Sequence, residues 1–172
     1  MATPAFQVND TVHIYGDITF PEIIENAQSG DYITILYDCI VETFLEDSPF
    51  ATLRRGITLD LGGKKLEIVQ HKVKGASSTR GQSRIQIATE EAIVIKNGTL
   101  KAYHPGTNDN YPVFMVSSTD YKINFTVEDV ESYLGTIIGI YNAEKGSVVN
   151  IVGGTHHAIN GTSGYSSRGL VI

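Results

Sequence analysis

The sequence predicts an all-β fold, a right-handed parallel β-helix with one short helix near its N-terminal end. Five segments share a pattern in which the first and third residues are apolar, and their first residues lie 24, 36, 32 and 24 positions apart. Glycine is abundant, with 17 residues, and Val, Ile, Thr and Tyr dominate the apolar runs, which is typical of strands and turns. The five segments are residues 33–37, 57–61, 93–97, 125–129 and 149–153.

Alternation within each segment explains why such a repeat would stack. Successive side chains of a strand point to opposite faces, so one set of side chains faces inwards. A single coil cannot bury that set alone, whereas a second coil stacked on it covers the apolar atoms and completes the backbone hydrogen bonds. Loops between the strands can vary in length, and residues 72–83 and 103–112 are predicted as polar insertions.

An antiparallel sandwich or barrel of short strands is the alternative, because it also predicts alternation. Such a fold would be expected to contain tight hairpins, in which two alternating runs of residues flank a two-residue turn symmetrically. The runs around the Asn-Gly pairs at 97–98 and 160–161 show only weak symmetry of this kind. The chain has no linker that would divide it. Residues 1–18 are therefore predicted as an N-terminal arm or attachment segment, and residues 19–172 as a single β-helix domain.

One short helix is predicted within residues 19–30. Pro21 suits a first helical turn, and Glu22 and Glu25 favour the positive N-terminal end of a helix. Gly30 can end the helix in a left-handed conformation. The remainder of the chain has few helical signals, so it is predicted as strands and turns.

Composition narrows the possible functions. Lys and Arg total 13 against 19 Asp and Glu, and the net charge of −6 argues against a broad nucleic-acid-binding surface. The single cysteine, Cys39, excludes an internal disulfide framework, and its apolar surroundings predict a buried, inert thiol. The N-terminal residues do not resemble a secretory signal, and no apolar run reaches the length of a membrane span. A soluble protein made in the cytoplasm is expected, with no membrane partner.

Three motifs resemble those of pectin-lyase-like proteins. Gly30-Asp-Tyr-Ile-Thr-Ile-Leu follows the predicted helix, and Gly56-Ile-Thr-Leu-Asp-Leu-Gly-Gly-Lys-Lys-Leu follows in turn. Ile93-Val-Ile-Lys-Asn-Gly-Thr-Leu is similar to the rung that commonly comes next in that superfamily. The resemblance covers about residues 20–160 and implies the β-helix fold. It implies little about chemistry, because the superfamily includes lyases, glycoside hydrolases, surface adhesins and phage fibres.

The sequence lacks the sets of residues that the enzymes of this superfamily would need. A calcium-dependent lyase site would need several acidic residues on adjacent strands, whereas the aligned positions Asp60, Lys96 and Glu128 mix charges and indicate a solvated face. A polygalacturonase-like glycosidase would need paired carboxylates, and the sequence motifs of that family do not occur one after another along this chain. The sequence therefore predicts no catalytic residue, no cofactor and no metal site.

Two adjacent histidines follow the last repeat. In a strand, His156 and His157 would point to opposite faces, so they cannot easily bind one metal ion. The glycines at 62–63, 98 and 153–154 are predicted as turn residues and not as a phosphate-binding loop, because no helix begins after them.

An interaction surface is predicted from exposed aromatic, histidine and C-terminal apolar residues. Tyr combines apolar area with a polar tip, as residues that contact sugars or other subunits do, although ordinary strand surface is the simpler interpretation. The predicted surface residues are Tyr103, His104, Tyr111, Tyr133, Tyr141, His156, His157, Leu170, Val171 and Ile172.

The first function hypothesis is a structural protein of a bacteriophage virion, such as a head fibre, a capsid decoration protein or a tail-associated fibre. Residues 161–172 are too few for a further coil, so an open apolar end and a homo-oligomer, a trimer by analogy to viral fibres, are expected. Other virion proteins and a cell-surface carbohydrate are the further partners considered. The alternatives are a carbohydrate-active enzyme and a module of a bacterial surface adhesin, which would place the chain at the cell surface.

Overall fold

The computed structural model describes residues 5–14, 18–44, 51–71, 85–103, 113–133 and 137–157. Within these ranges the chain forms fourteen strands and one short helix. The first elements are β1 (Ala5–Val8), β2 (Thr11–Ile14), α1 (Phe20–Asn26), β3 (Asp31–Ile35), β4 (Cys39–Phe44), β5 (Ala51–Leu53), β6 (Ile57–Asp60) and β7 (Lys65–His71). The later strands are β8 (Ile85–Ile87), β9 (Ile93–Tyr103), β10 (Phe114–Ser117), β11 (Asn124–Tyr133), β12 (Ile138–Asn142), β13 (Val148–Val152) and β14 (Thr155–His156).

The predicted helix is confirmed, and it begins with a capping box. The Thr19 amide donates to the Glu22 carboxylate at 2.7 Å, and the Glu22 amide donates to the Thr19 hydroxyl at 3.4 Å. The helix ends at Asn26, before the predicted stop, because Ala27 is already extended. Gly30 does take a left-handed conformation, with φ of 81°, but in the turn that leads into β3.

The strands form two sheets. The larger sheet has ten strands and follows the order β13-β11-β9-β6-β3-β1-β2, with β4, β7 and β14 paired beside this path. The smaller sheet has four strands in the order β12-β10-β8-β5, all parallel to their neighbours. In the larger sheet β1 runs antiparallel to both β2 and β3, whereas the described pairs from β3 onwards are parallel.

The predicted fold class, a right-handed parallel β-helix, is therefore wrong. The protein is mostly β with one short helix, but its larger sheet is mixed, since it opens with an antiparallel hairpin that adds two strands to β3. Alternating apolar residues specify which face of a strand is buried, and they do not specify the direction of the neighbouring strand. The sequence pattern alone could not exclude antiparallel pairing at this end.

The five similar segments nevertheless lie in adjacent strands, namely β3, β6, β9, β11 and β13. Phe125 pairs with Ile93 and with Val149, and Leu59 pairs with Ile95, which is the register that the alignment of the segments predicts. The first segment departs from it, because Ile33 pairs with Leu59, two residues further along β6.

The core lies between the two sheets and is closed at one end by the helix. Phe114 of the smaller sheet packs against Phe125 of the larger sheet, with ring centroids 5.3 Å apart. Phe6 of β1 stacks on Phe20 of α1 at 5.5 Å, and both rings are buried. The first strand and the helix together therefore cover the apolar interior at the N-terminal end.

Residues with a left-handed backbone bend the long strands at equivalent positions. Asn97 in β9 and Asp129 in β11 have φ of 57° and 50°, and Gly153, which follows β13, has φ of 68°. Gly154 is needed at the last bend, because a Cβ atom there would lie 2.2 Å from the Val130 carbonyl oxygen. The glycines at 153–154 thus lie at a turn, as predicted.

Candidate interaction surface at the last strands

Within the described ranges, no strand covers the apolar interior beyond the last strand of the larger sheet. Leu59, Ile95 and Val127 occupy equivalent inward positions on β6, β9 and β11, and each is 0% exposed. Ile151 occupies the next position, on β13, and is 39% exposed. Each inward residue is covered by the strand that follows it, and no described strand follows β13. We call residues 148–157, which contain β13 and β14, the terminal layer.

On the outward face of β13, two valines flank Asn150. Val148 and Val152 are 48% and 53% exposed, and the strand carries no charged side chain and no proline. Edge strands of natural sheets usually carry charges, prolines or bulges that prevent pairing with another chain. β13 has none of these features, so its own residues do not oppose pairing with a further strand.

The backbone of β13 has one edge that the described strands leave without a partner. The Val148 amide donates to the Ile123 carbonyl at 2.6 Å, which places the hydrogen-bonding groups of Val148 on the β11 side. Backbone groups alternate between the two edges of a strand, so the amides and carbonyls of Val149 and Ile151 point to the opposite edge. Among the described strands only β11 pairs with β13.

The two predicted histidines belong to this same layer. β14 pairs with β11 beyond β13, with Ser132 opposite His156. Both histidines are exposed, and the His157 Nε2 atom lies 3.2 Å from the Glu131 carboxylate. The structure thus places His156 and His157 shortly after β13, in strand contact with β11 or next to it.

The other predicted surface residues are placed in part or not at all. Tyr103, Tyr133 and Tyr141 have their backbones in β9, β11 and β12, but their side chains lie outside the described part of the structure. The remaining predicted residues also lie outside the described ranges, namely His104, Tyr111, Leu170, Val171 and Ile172. Sequence reasoning missed Val148, Ile151 and Val152 as surface residues, because it placed the open apolar end at residues 161–172 and not at β13.

A polar cluster joins three neighbouring strands on the outer face. The Tyr32 hydroxyl and the Asn97 amide donate to the Asp60 carboxylate, the latter at 3.3 Å, and the Gly62 amide donates to it at 2.8 Å. The Lys96 ammonium lies 5.1 Å from the centre of the Tyr32 ring. The cluster thereby links β3 and β6 to β9.

The electrostatics of Asp60 follow from these contacts. Partial burial acts to raise the pKa of its carboxyl group, but the hydrogen bonds from Tyr32, Gly62 and Asn97, together with the charge of Lys96, hold the pKa below its ordinary value. The carboxylate is therefore satisfied by the protein itself. Asp60, Lys96 and Glu128 do lie in register, as the sequence predicts, and Asp60 contributes to structure here.

A second carboxylate, that of Glu67, was not singled out from the sequence. It is buried on β7, with the Lys65 ammonium 3.1 Å away and the Lys101 ammonium 3.7 Å away. Two cations offset the cost of removing this carboxylate from water, which indicates a structural ion pair between β7 and β9. The sequence carries no signal for this burial, because Glu67 occupies an outward position between the buried Leu66 and Ile68.

Cys39 is buried, as the sequence predicts. Burial, with a smaller effect of the neighbouring Asp38 charge, raises the pKa of the thiol to about 12, so the thiolate is scarce at neutral pH. Over the described ranges, no group of three or more His, Cys, Asp or Glu side chains could hold a metal ion. No helix among the described residues is long and apolar enough to cross a bilayer.

Comparisons with protein-family models, with curated proteins and with solved structures found no match. The resemblance to pectin-lyase-like proteins stays a prediction, and no family is assigned to the chain. The terminal layer is therefore interpreted from its own geometry.

Proposed function

We propose that this protein is a structural subunit that associates with further copies of itself through the terminal layer. The proposal is based on the difference between two neighbouring inward residues: Val127 on β11 is 0% exposed, whereas Ile151 on β13 is 39% exposed. Covering a half-exposed Ile or Val contributes on the order of 1 kcal/mol. A partner that adds a strand to β13 would cover Ile151 and satisfy the backbone groups at its free edge.

A bacteriophage virion component is the narrower form of this proposal. Fibres and decoration proteins are built from associating subunits, and among the described residues the apolar edge strand β13 is a surface through which subunits could associate. The virion as the location and other virion proteins as further partners belong to this narrower proposal. Self-association is its first requirement, and the trimer predicted from the sequence is one form that it could take.

The mass of the full chain in solution tests the proposal. Sedimentation equilibrium over a wide concentration range is expected to give a multiple of the 18.7 kDa chain mass. Replacing Val152 with lysine adds a charge to the free edge strand, and the average mass is expected to fall towards that of one chain. A wild-type protein that remains monomeric throughout would contradict the proposal.

Tyr37 provides a matched control. It is 53% exposed, as Val152 is, but it lies between β3 and β4, away from the terminal layer. Tyr37→Lys introduces the same charge and is expected to leave the mass distribution unchanged. If both lysine variants lower the mass equally, net charge and not the terminal layer controls the association.

A further inference from the structure

The sequence of β13 is symmetric about its central residue. Every position on either side of Asn150 holds a β-branched apolar residue, namely Val148, Val149, Ile151 and Val152. A strand with this pattern presents nearly the same surface in both chain directions. That property is what a two-fold interface requires, because each surface residue must fit its counterpart on an identical copy.

The backbone groups of β13 are placed to suit the same symmetry. The free edge carries the amides and carbonyls of Val149 and Ile151, since those of Val148 face β11. If two β13 strands ran antiparallel with Asn150 opposite Asn150, Val149 of one copy would lie opposite Ile151 of the other. These are the residues whose backbone groups point outwards, so each such pair could exchange its hydrogen bonds.

The side chains would also match across this junction. Rotation about an axis perpendicular to the sheet keeps inward residues on the inward face, so Ile151 of one copy would cover Val149 of the other. On the outer face, Val148 would lie opposite Val152. The apolar interiors of the two copies would then be continuous, so Ile151 would be covered in the pair, while Val148 and Val152 would contact each other on the outer face.

We propose that the partner of the terminal layer is a second copy of this chain, paired antiparallel along β13 about a two-fold axis that passes between the two Asn150 residues. This inference rests on the proposed function and specifies its partner geometry. It gives a dimer at this surface, in place of the trimer predicted from the sequence.

Charge exchange at the symmetric position tests the geometry. In the full chain, Asn150→Lys and Asn150→Asp each place like charges opposite each other on a two-fold axis, so each variant alone is expected to sediment as a monomer. An equimolar mixture places lysine opposite aspartate, and is expected to recover the dimer mass of the wild type. Recovery on mixing also shows that both variants fold.

Asn124→Lys and Asn124→Asp are the matched controls. Asn124 is an exposed asparagine of β11, a strand that is already paired on both sides. Wild-type mass is expected for each control variant alone. If the wild type associates and the Asn150 variants keep that mass, or if mixing recovers nothing, the two-fold geometry is wrong while self-association stands. A monomeric wild type would overturn both.

Discussion

Asp60 shows how one carboxylate can connect three strands. Its oxygens accept hydrogen bonds from side chains on β3 and at the bend of β9, and from the backbone amide of Gly62 just beyond its own strand. Charge-assisted hydrogen bonds are stronger than neutral ones, and they favour the ionised form. The stabilising effect of Asp60 must therefore depend on pH.

Asp60→Asn is expected to lower the free energy of unfolding at neutral pH by about 1 kcal/mol. The folded-state pKa of Asp60 lies below its ordinary value of 3.8, so its contribution is present above that value. It is lost as the pH falls through the folded-state pKa. Urea unfolding at a series of pH values should show the difference between wild type and variant shrinking in acid.

The control for this prediction is Asp10→Asn, at an exposed position in the turn between β1 and β2. It is expected to change the free energy of unfolding little at any pH. A difference between wild type and Asp60→Asn that stays constant down to strongly acidic pH would show that the charge of Asp60 is not what stabilises the cluster.

At the scale of single elements, the start of α1 was predictable because its signals are local. Pro21 lies in the first turn, and Thr19 and Glu22 form the capping box. The hydrogen bonds from the Thr19 side chain and backbone lower the pKa of the Glu22 carboxyl group. The end of the helix was not predictable from Gly30, because the chain leaves the helix at Ala27 to enter the sheet.

Thr19→Ala is expected to destabilise the protein by about 1 kcal/mol, the usual effect of removing an N-cap hydroxyl. Equilibrium unfolding in urea measures the change. Thr19→Ser keeps the hydroxyl and serves as the control, so it is expected to retain most of the wild-type stability. Equal losses in the Ser and Ala variants would mean that the capping hydrogen bond contributes little.

The five similar segments pair in parallel, and the sequence pattern predicted the register of all but the first. The alternation in β6, β9, β11 and β13 aligned these strands correctly, because each inward position had to meet another apolar position. The same reasoning failed for β3, whose Ile33 lies two residues away from its expected partner on β6. A shift of two residues keeps the same face buried, so the apolar pattern cannot detect it.

At the scale of the whole molecule, the two ends of the larger sheet differ. The first end is closed by β1 and by α1, where Phe6 and Phe20 are stacked and buried. At the other end, Ile151 and Val152 are exposed. The sequence pointed to an open apolar end, but it could not locate the surface at β13, because exposure depends on which strand lies outermost and not on local composition.

Pairing of β13 with a second copy is the central claim, and oxidative cross-linking of Asn150→Cys tests it most directly. Residues opposite each other in a non-hydrogen-bonded antiparallel pair have Cα atoms about 4.5 Å apart, which is within the range of a disulfide. The native Cys39 is buried and its pKa is raised, so it should not compete. We expect rapid conversion to a covalent dimer under native conditions. If Asn150→Cys cross-links no faster than the Asn124→Cys control, the claim is contradicted.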